Sequence, residues 1–249
     1  MALAKAEKKK LQDIMEDPVK WAQAFLRAYD PISKGMKPWT ARWYQVEMLR
    51  DNSTRKVYRC GRRIGKTETM VVDMLHKAYT NKNFRVLMAA PYDNQIRNMF
   101  TRLNELIAES PLVKQAVAST TKNPAKIEFA NGSMILGFTT GDDAASVRGQ
   151  RADWIYIDEV DFMSEYCFEV VAAVAIERSD IGITVSSTPL GKRSKFYAMC
   201  TNEAMGYSQH YHPSMHNPNW NAQMEAELRA QLTSEGLNNI YISLIYYLI

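Results

Sequence analysis

The spacing of apolar residues changes along the chain, and each change marks a boundary. Behind Asp17-Pro18, a capping residue and a proline suited to a first helical turn, Trp21, Ala22, Phe25, Leu26 and Tyr29 recur at helical spacing. The turn-rich stretch "DPISKGMKP" ends that helix. A second amphipathic stretch, Trp39 to Leu49, sets Trp43, Val46 and Leu49 on one side. The first ten residues, small and basic, are expected to fray.

Beyond this helical lead-in the period shortens. "RKVYRC", "FRVLMAAP", "DWIYID" and "IGITVSS" are apolar runs of strand length. Helical patterns lie between them, from about Lys66 to Tyr79, from about Asn94 to Glu109, and around Phe168 to Ile176. "AKIEFANGSMILGF" reads as two strands turning at Asn131-Gly132, a strong hairpin signal. Strands alternating with helices predict an α/β fold with a mostly parallel sheet covered on both faces.

Composition alters this picture little. A chain of 249 residues with 46% hydrophobic and 23% charged positions is ordinary globular protein. Its net charge of +4 permits an anionic partner without demanding one. Three widely spaced cysteines without CxxC spacing argue against a disulfide framework and a zinc site, and for a reducing compartment. No signal peptide or run of about 20 apolar residues is present, so a cytosolic protein without membrane contact is expected. His210, His212 and His216 lie close in "HYHPSMH" but lack a nearby acidic ligand, and read as loop or strand residues. Trp39 and Trp43 read as core of the lead-in.

Candidate chemistry begins at "CGRRIGKT", Cys60 to Thr67, between a strand and a helix. Such a loop receives phosphates on backbone N–H groups, here around Gly61, Arg63 and Gly65. Lys66 would reach the terminal phosphates, and the Thr67 hydroxyl would bind Mg²⁺. The loop departs from the usual pattern in opening with cysteine in place of glycine. Downstream, "WIYIDEVD" is an apolar strand ending in Asp158-Glu159. An ATPase needs one carboxylate for Mg²⁺, suiting Asp158, and one to orient or deprotonate water, suiting Glu159. The bland alternative is two acids capping the next helix.

These pieces resemble the large terminase subunit of viral DNA-packaging motors, whose variant phosphate loop carries an arginine early and often loses its opening glycine. "WYQ" at Trp43 to Gln45 resembles that family's adenine-contacting motif, and "LMAAPYDNQ" its A-P-x-x-x-Q element. "FANGSMI" resembles its hairpin, "SVRGQRAD" its S-x-R-G element, and "SSTP" at Ser186 to Pro189 its coupling motif. The resemblance implies a P-loop NTPase of the RecA/ASCE-like kind, using ATP and Mg²⁺ to move double-stranded DNA into a procapsid. It implies that Arg62 acts in cis near the γ-phosphate, Gln45 reads adenine, and Ser187 with Thr188 couples hydrolysis to movement. Arg148 would be a finger reaching a neighbour's nucleotide; an ion pair with Asp142, Asp143 or Asp153 is the alternative. Arg97, Arg102, Lys114, Lys122 and Lys126 are DNA-contact candidates, though a solvated face explains them equally well.

The implied partners are duplex viral DNA, a portal protein, a small terminase subunit, and further copies in a ring on the procapsid, the free chain being monomeric in the host cytoplasm. The expected organisation is a helical lead-in or lid over 1–50, an ATPase core over 51–215, and a C-terminal helix with an apolar tail over 216–249. Large terminases carry a second, nuclease domain. The 60 residues after Pro189 are too few for it, so cutting activity is not expected in this chain. The uncharged ending "LNNIYISLIYYLI" is expected to leave terminase coding sequence near Asn238, as at an insertion or frameshift, with a deliberate boundary as rival. A helicase-like translocase and a nucleotide-binding assembly module are the competing functions.

Overall fold

The computed structural model describes residues 2–30, 32–141, 149–176, 178, 180–188 and 195–231. Two helices, α1 (Ala2–Glu16) and α2 (Pro18–Phe25), lead into a small hairpin of β1 (Arg27–Asp30) and β2 (Gly35–Pro38), then α3 (Trp43–Arg50). Next come β3 (Arg55–Cys60), α4 (Lys66–Thr80), β4 (Arg85–Ala90), α5 (Asp93–Glu109) and α6 (Pro111–Ala116). Three strands follow, β5 (Val117–Lys122), β6 (Ala125–Phe129) and β7 (Met134–Thr139), and then β8 (Trp154–Ile157) and α7 (Glu165–Ala173). The described chain finishes with β9 (Gly182–Ser187), α8 (Lys195–Thr201), β10 (Ser208–His212) and α9 (Ala222–Gln231).

Eight strands form one sheet in the order β10-β3-β9-β8-β4-β7-β6-β5. The first six run parallel, and β6 and β5 add an antiparallel edge. Alternation along β4 sends Val86, Met88 and Ala90 to one face and Leu87 and Ala89 to the other. The first face packs on Trp21, Met48, Leu75 and Met99 of the helices before β5; the second packs on Phe168 and Val171 of α7 and Phe196 and Met199 of α8. Burial on both faces is why the central strands read as unbroken apolar runs. Asn131-Gly132 makes the expected turn, with Gly132 at φ 86°. The Asn131 amide also donates to the carbonyls of Ala78, Tyr79 and Asn81, tying the hairpin to the end of α4.

The lead-in departs from expectation in three places. Residues 2–10, expected to fray, belong to α1, whose Ala, Leu, Lys and Glu content favours helix. Tyr29 is not on a helical face. Leu26 turns extended (φ −90°, ψ 147°), and Tyr29 lies 56% exposed in β1. Its strand pairs β2 through a turn in which the Asp30 carboxylate accepts the Ile32 N–H. The second helix starts at Trp43 rather than Trp39, so its buried face is Tyr44, Gln45, Met48 and Leu49 while Trp43 is exposed. Trp39 is buried as expected, its indole N–H donating to Glu68 Oε1 at 2.8 Å.

Candidate active site

The glycine-containing loop crosses from β3 to α4. Cys60 keeps strand geometry as the last residue of β3, so nothing at that position calls for glycine; burial pushes its thiol up to about 12. Gly61 is required by closeness. A Cβ there would come within 2.5 Å of the Ser214 nitrogen, and the Gly61 N–H donates to the His212 carbonyl at 2.9 Å. Arg63 (φ 60°) and Gly65 (φ 86°) are both left-handed, and Ile64 between them is fully buried. Successive turns of this kind aim backbone N–H groups into one concavity, the geometry of an anion nest at a helix start.

The tip of β8 faces that concavity. Asp158 Oδ2 accepts the Thr67 hydroxyl at 2.9 Å, and Asp158 Oδ1 accepts the Ser186 hydroxyl and the Glu159 N–H at 3.0 Å. Glu159 sits at φ 53°, ψ 43°, a conformation costly for a glutamate and found where surrounding structure imposes it. Its carboxylate is shared, Oε1 with the Lys66 ammonium at 2.6 Å and Oε2 with the Ser187 hydroxyl at 3.2 Å. Lys66 also reaches the Thr188 hydroxyl at 3.4 Å. A cavity of about 540 Å³ opens here, lined by residues 61–67 together with Gln95, Glu159, Phe162 and Thr188.

Thr67 and Asp158 offer only hard oxygen donors. Among the described residues no group of three His, Cys, Asp or Glu forms a protein cage for a metal. One carboxylate and one hydroxyl suit an ion that keeps waters and takes its remaining ligands from a substrate, which is the habit of Mg²⁺.

The other expected residues divide. Arg62 is exposed and lines the cavity, and makes no hydrogen bond or ion pair among the described residues. Gln45 lies behind the loop, 4% exposed, its amide nitrogen donating to Gly65 O (3.3 Å) and Thr69 Oγ1 (3.2 Å), and it is not part of the cavity lining. Arg148 and the acids Asp142 and Asp143 lie outside the described residues. Arg102, expected as a DNA contact, is engaged within the protein. It is bidentate on Glu68 (2.6 and 2.9 Å), bonds Glu105 at 3.0 Å, and so braces α5 against α4. Lys126 pairs with Glu128 (2.9 Å) and Arg97 with Asp93 (2.5 Å), while Lys114 and Lys122 are exposed. Gln95 and Phe162 are cavity residues that the sequence did not single out. Gln95 was within reach, since it ends the A-P-x-x-x-Q element; Phe162, three positions beyond Glu159 and 42% exposed, carried no signal.

The three histidines serve packing around β10. His210 pairs with Asp51 at 2.8 Å, while His212 and His216 pack with the rings of Trp43 and Tyr44. Burial, then His216 and His210 beside it, hold the His212 imidazole down at about 4 against an ordinary 6.5. Folded His212 thus binds a proton less readily than unfolded His212. Its contribution to stability is complete above about pH 6.5 and is lost as pH falls toward 4. Denaturation measured across that window is expected to show stability rising with pH, and His212→Phe is expected to flatten the slope.

The family model described as terminase large subunit, T4likevirus-type, N-terminal, matches residues 57–236. Among solved structures, the large terminase ATPase domain of Thermus phage P74-26 superposes with a TM-score of 0.70 at 17% identity, covering 82% of this chain and 93% of that one. The large terminase of bacteriophage HK97 superposes at 0.74 with 12% identity, covering 91% of this chain and 54% of that one. A large terminase from a thermophilic bacteriophage, in complex with ATP-gamma-S, superposes at 0.62 with 16% identity, covering 81% and 52%. This chain therefore spans about half the length of the full terminases it matches. A search of curated proteins gave no match.

Proposed function

The chain belongs to the N-terminal family of T4likevirus-type terminase large subunits, and from that premise we propose that it hydrolyses ATP with Mg²⁺ to drive double-stranded DNA into a viral procapsid. One observation carries the reading: Lys66 and Thr67, at the start of α4, bond Glu159 and Asp158 at the tip of β8, beside a cavity that Lys66, Thr67 and Glu159 line. That a related large terminase was solved with ADP and with ATP-gamma-S supports a nucleotide as the occupant.

The N–H groups around Gly61, Arg63 and Gly65 receive the phosphates, and Lys66 exchanges Glu159 for a phosphate oxygen. Thr67 and Asp158 would hold Mg²⁺, which when bound neutralises charge on the β- and γ-phosphate oxygens. Released from Lys66, the Glu159 carboxylate takes a proton from water as the water oxygen bonds to the γ-phosphorus and the bond to ADP breaks. Arg62, at the cavity rim, adds positive charge beside the γ-phosphate. Ser187 and Thr188, bonded to Glu159 and Lys66, are placed to pass a change at either onward through β9. Arg148 remains the proposed finger toward a neighbouring copy, with turnover rising on ring assembly.

In this reading residues 1–50 form the lead-in, 51–215 the motor core and 216–249 an extension. The partners are a portal protein, a small terminase subunit, duplex DNA and further copies of the chain, in the host cytoplasm. No described helix is long and apolar enough to cross a membrane. DNA contact through Arg97, Arg102, Lys114, Lys122 and Lys126 would be sequence-independent and salt-dependent. The test is phosphate release from ATP with Mg²⁺ and with EDTA. Hydrolysis that needs the metal is expected; a chain that neither binds nor hydrolyses ATP would overturn the reading.

A further inference from the structure

The candidate site is built in two halves: the loop with the start of α4, and the tip of β8. Among the described residues, side-chain hydrogen bonds join α4 to positions 154–159 at three places. Two of them, Lys66 to Glu159 and Thr67 to Asp158, must open when phosphates and metal enter. The third lies out of the ligand's reach. There the Tyr156 hydroxyl donates to Asp73 Oδ2 at 2.7 Å, and both side chains are buried. Asp73 stands six residues, about 9 Å, along α4 from Thr67, and Tyr156 two residues, about 7 Å, back along β8 from Asp158.

Asp73 is also the centre of an ion cluster. Lys77 Nζ stands 3.0 Å from Asp73 Oδ1, and Nζ of the fully buried Lys56, on β3, stands 3.7 Å from Oδ2. Both ammonium groups lie over the Trp154 ring of β8, whose indole N–H donates to Thr184 of β9 at 2.9 Å. Burial opposes the charge on Asp73, but Lys77 and Lys56 outweigh it and hold the carboxyl below its ordinary value. One carboxylate thereby fastens the phosphate helix to the strand that enters the loop and to the strand that carries Asp158-Glu159. Buried ions often contribute less stability than apolar groups of the same size; what such a cluster can supply is a single register.

We infer that Asp73 and Tyr156 are positioning residues that keep α4 in register with β8 while the ligand breaks the direct contacts between them. The inference rests on the nucleotide reading above. Lys66 and the loop N–H groups belong to one half, so phosphate binding alone does not need the register. Thr67 and Asp158 belong to opposite halves, as do Lys66 and Glu159, so Mg²⁺ affinity and water activation do need it.

The experiment compares the chain with Tyr156→Phe, Lys77→Met and a control, Val113→Ala, which removes buried volume from α6. Calorimetry with ATP in EDTA reads phosphate binding by the loop, and ATP binding followed as Mg²⁺ is added reads the two halves together. Single-turnover hydrolysis and a melting curve complete the set. Tyr156→Phe keeps the buried ring and removes only its hydroxyl. It is expected to bind ATP in EDTA within about threefold of the parent. It should need about tenfold more Mg²⁺ for half-maximal enhancement of binding, and hydrolyse about tenfold more slowly at saturation. Lys77→Met is expected to move the same way, whereas Val113→Ala should lower the melting temperature and leave the Mg²⁺ midpoint in place. A Tyr156→Phe protein whose midpoint matches the parent's, or moves no further than that of Val113→Ala, would overturn the inference and leave the cluster a support of the fold alone. Should Tyr156→Phe not fold, Lys77→Met decides by the same midpoint. A parent chain that binds no ATP in either condition would instead refute the nucleotide reading, and the register with it.

Discussion

Lys66→Ala is expected to abolish ATP binding. The ammonium is nearly buried, its side chain 10% exposed, at the first residue of α4, and it bonds Glu159 Oε1 at 2.6 Å. Removing it costs twice. A charge-assisted bond to phosphate is lost, and the Glu159 carboxylate is left uncompensated where the phosphates must sit. Together these amount to roughly 3–5 kcal/mol, or about a hundredfold to several thousandfold in affinity. A fluorescent ATP analogue titrated into parent and variant measures it. An affinity within about threefold of the parent would mean that the phosphates do not lie against Lys66.

Glu159→Gln is expected to do the opposite, binding ATP as the parent does while turnover falls by about 10³-fold. A glutamine fits the same space and still accepts the Ser187 hydroxyl, but it cannot take a proton from water, a step worth about 10²–10⁴ in rate. The backbone at this residue is already fixed in its left-handed conformation, so the exchange should disturb geometry little. Single-turnover hydrolysis beside equilibrium binding separates the two quantities. Poor binding by this variant would instead give Glu159 a part in holding metal or loop.

The site was legible where its residues follow one another in the chain. Lys66-Thr67 follows a strand and a loop, Asp158-Glu159 ends an apolar run, and both read directly because strand tips and helix starts put neighbours in sequence side by side in space. Gln45 was legible as a member of the site, whereas only the fold shows that its amide turns toward Gly65 O. The backing of the loop by His212, Ser214 and Asn217 was not legible at all. It arises because β10 pairs parallel to β3 across about 150 residues of sequence. The fold divides the same way. Central strands buried on both faces announced themselves, whereas β1, β5 and β10 are short, polar strands at edges or in the outlying hairpin, and "VASTTK" or "SQHYH" carries no pattern stronger than that of a loop.

All three thiols of this chain are buried: Cys60 beneath the loop, Cys167 in α7 and Cys200 in α8, and burial pushes both Cys60 and Cys200 up to about 12. Since the thiolate is the species that reacts, alkylating dyes at neutral pH should find almost nothing to attack in the folded protein. A cysteine introduced on an exposed face would then label fast and alone. The chain is thus suited, without removal of its native cysteines, to carrying a single fluorophore for watching one molecule at a time.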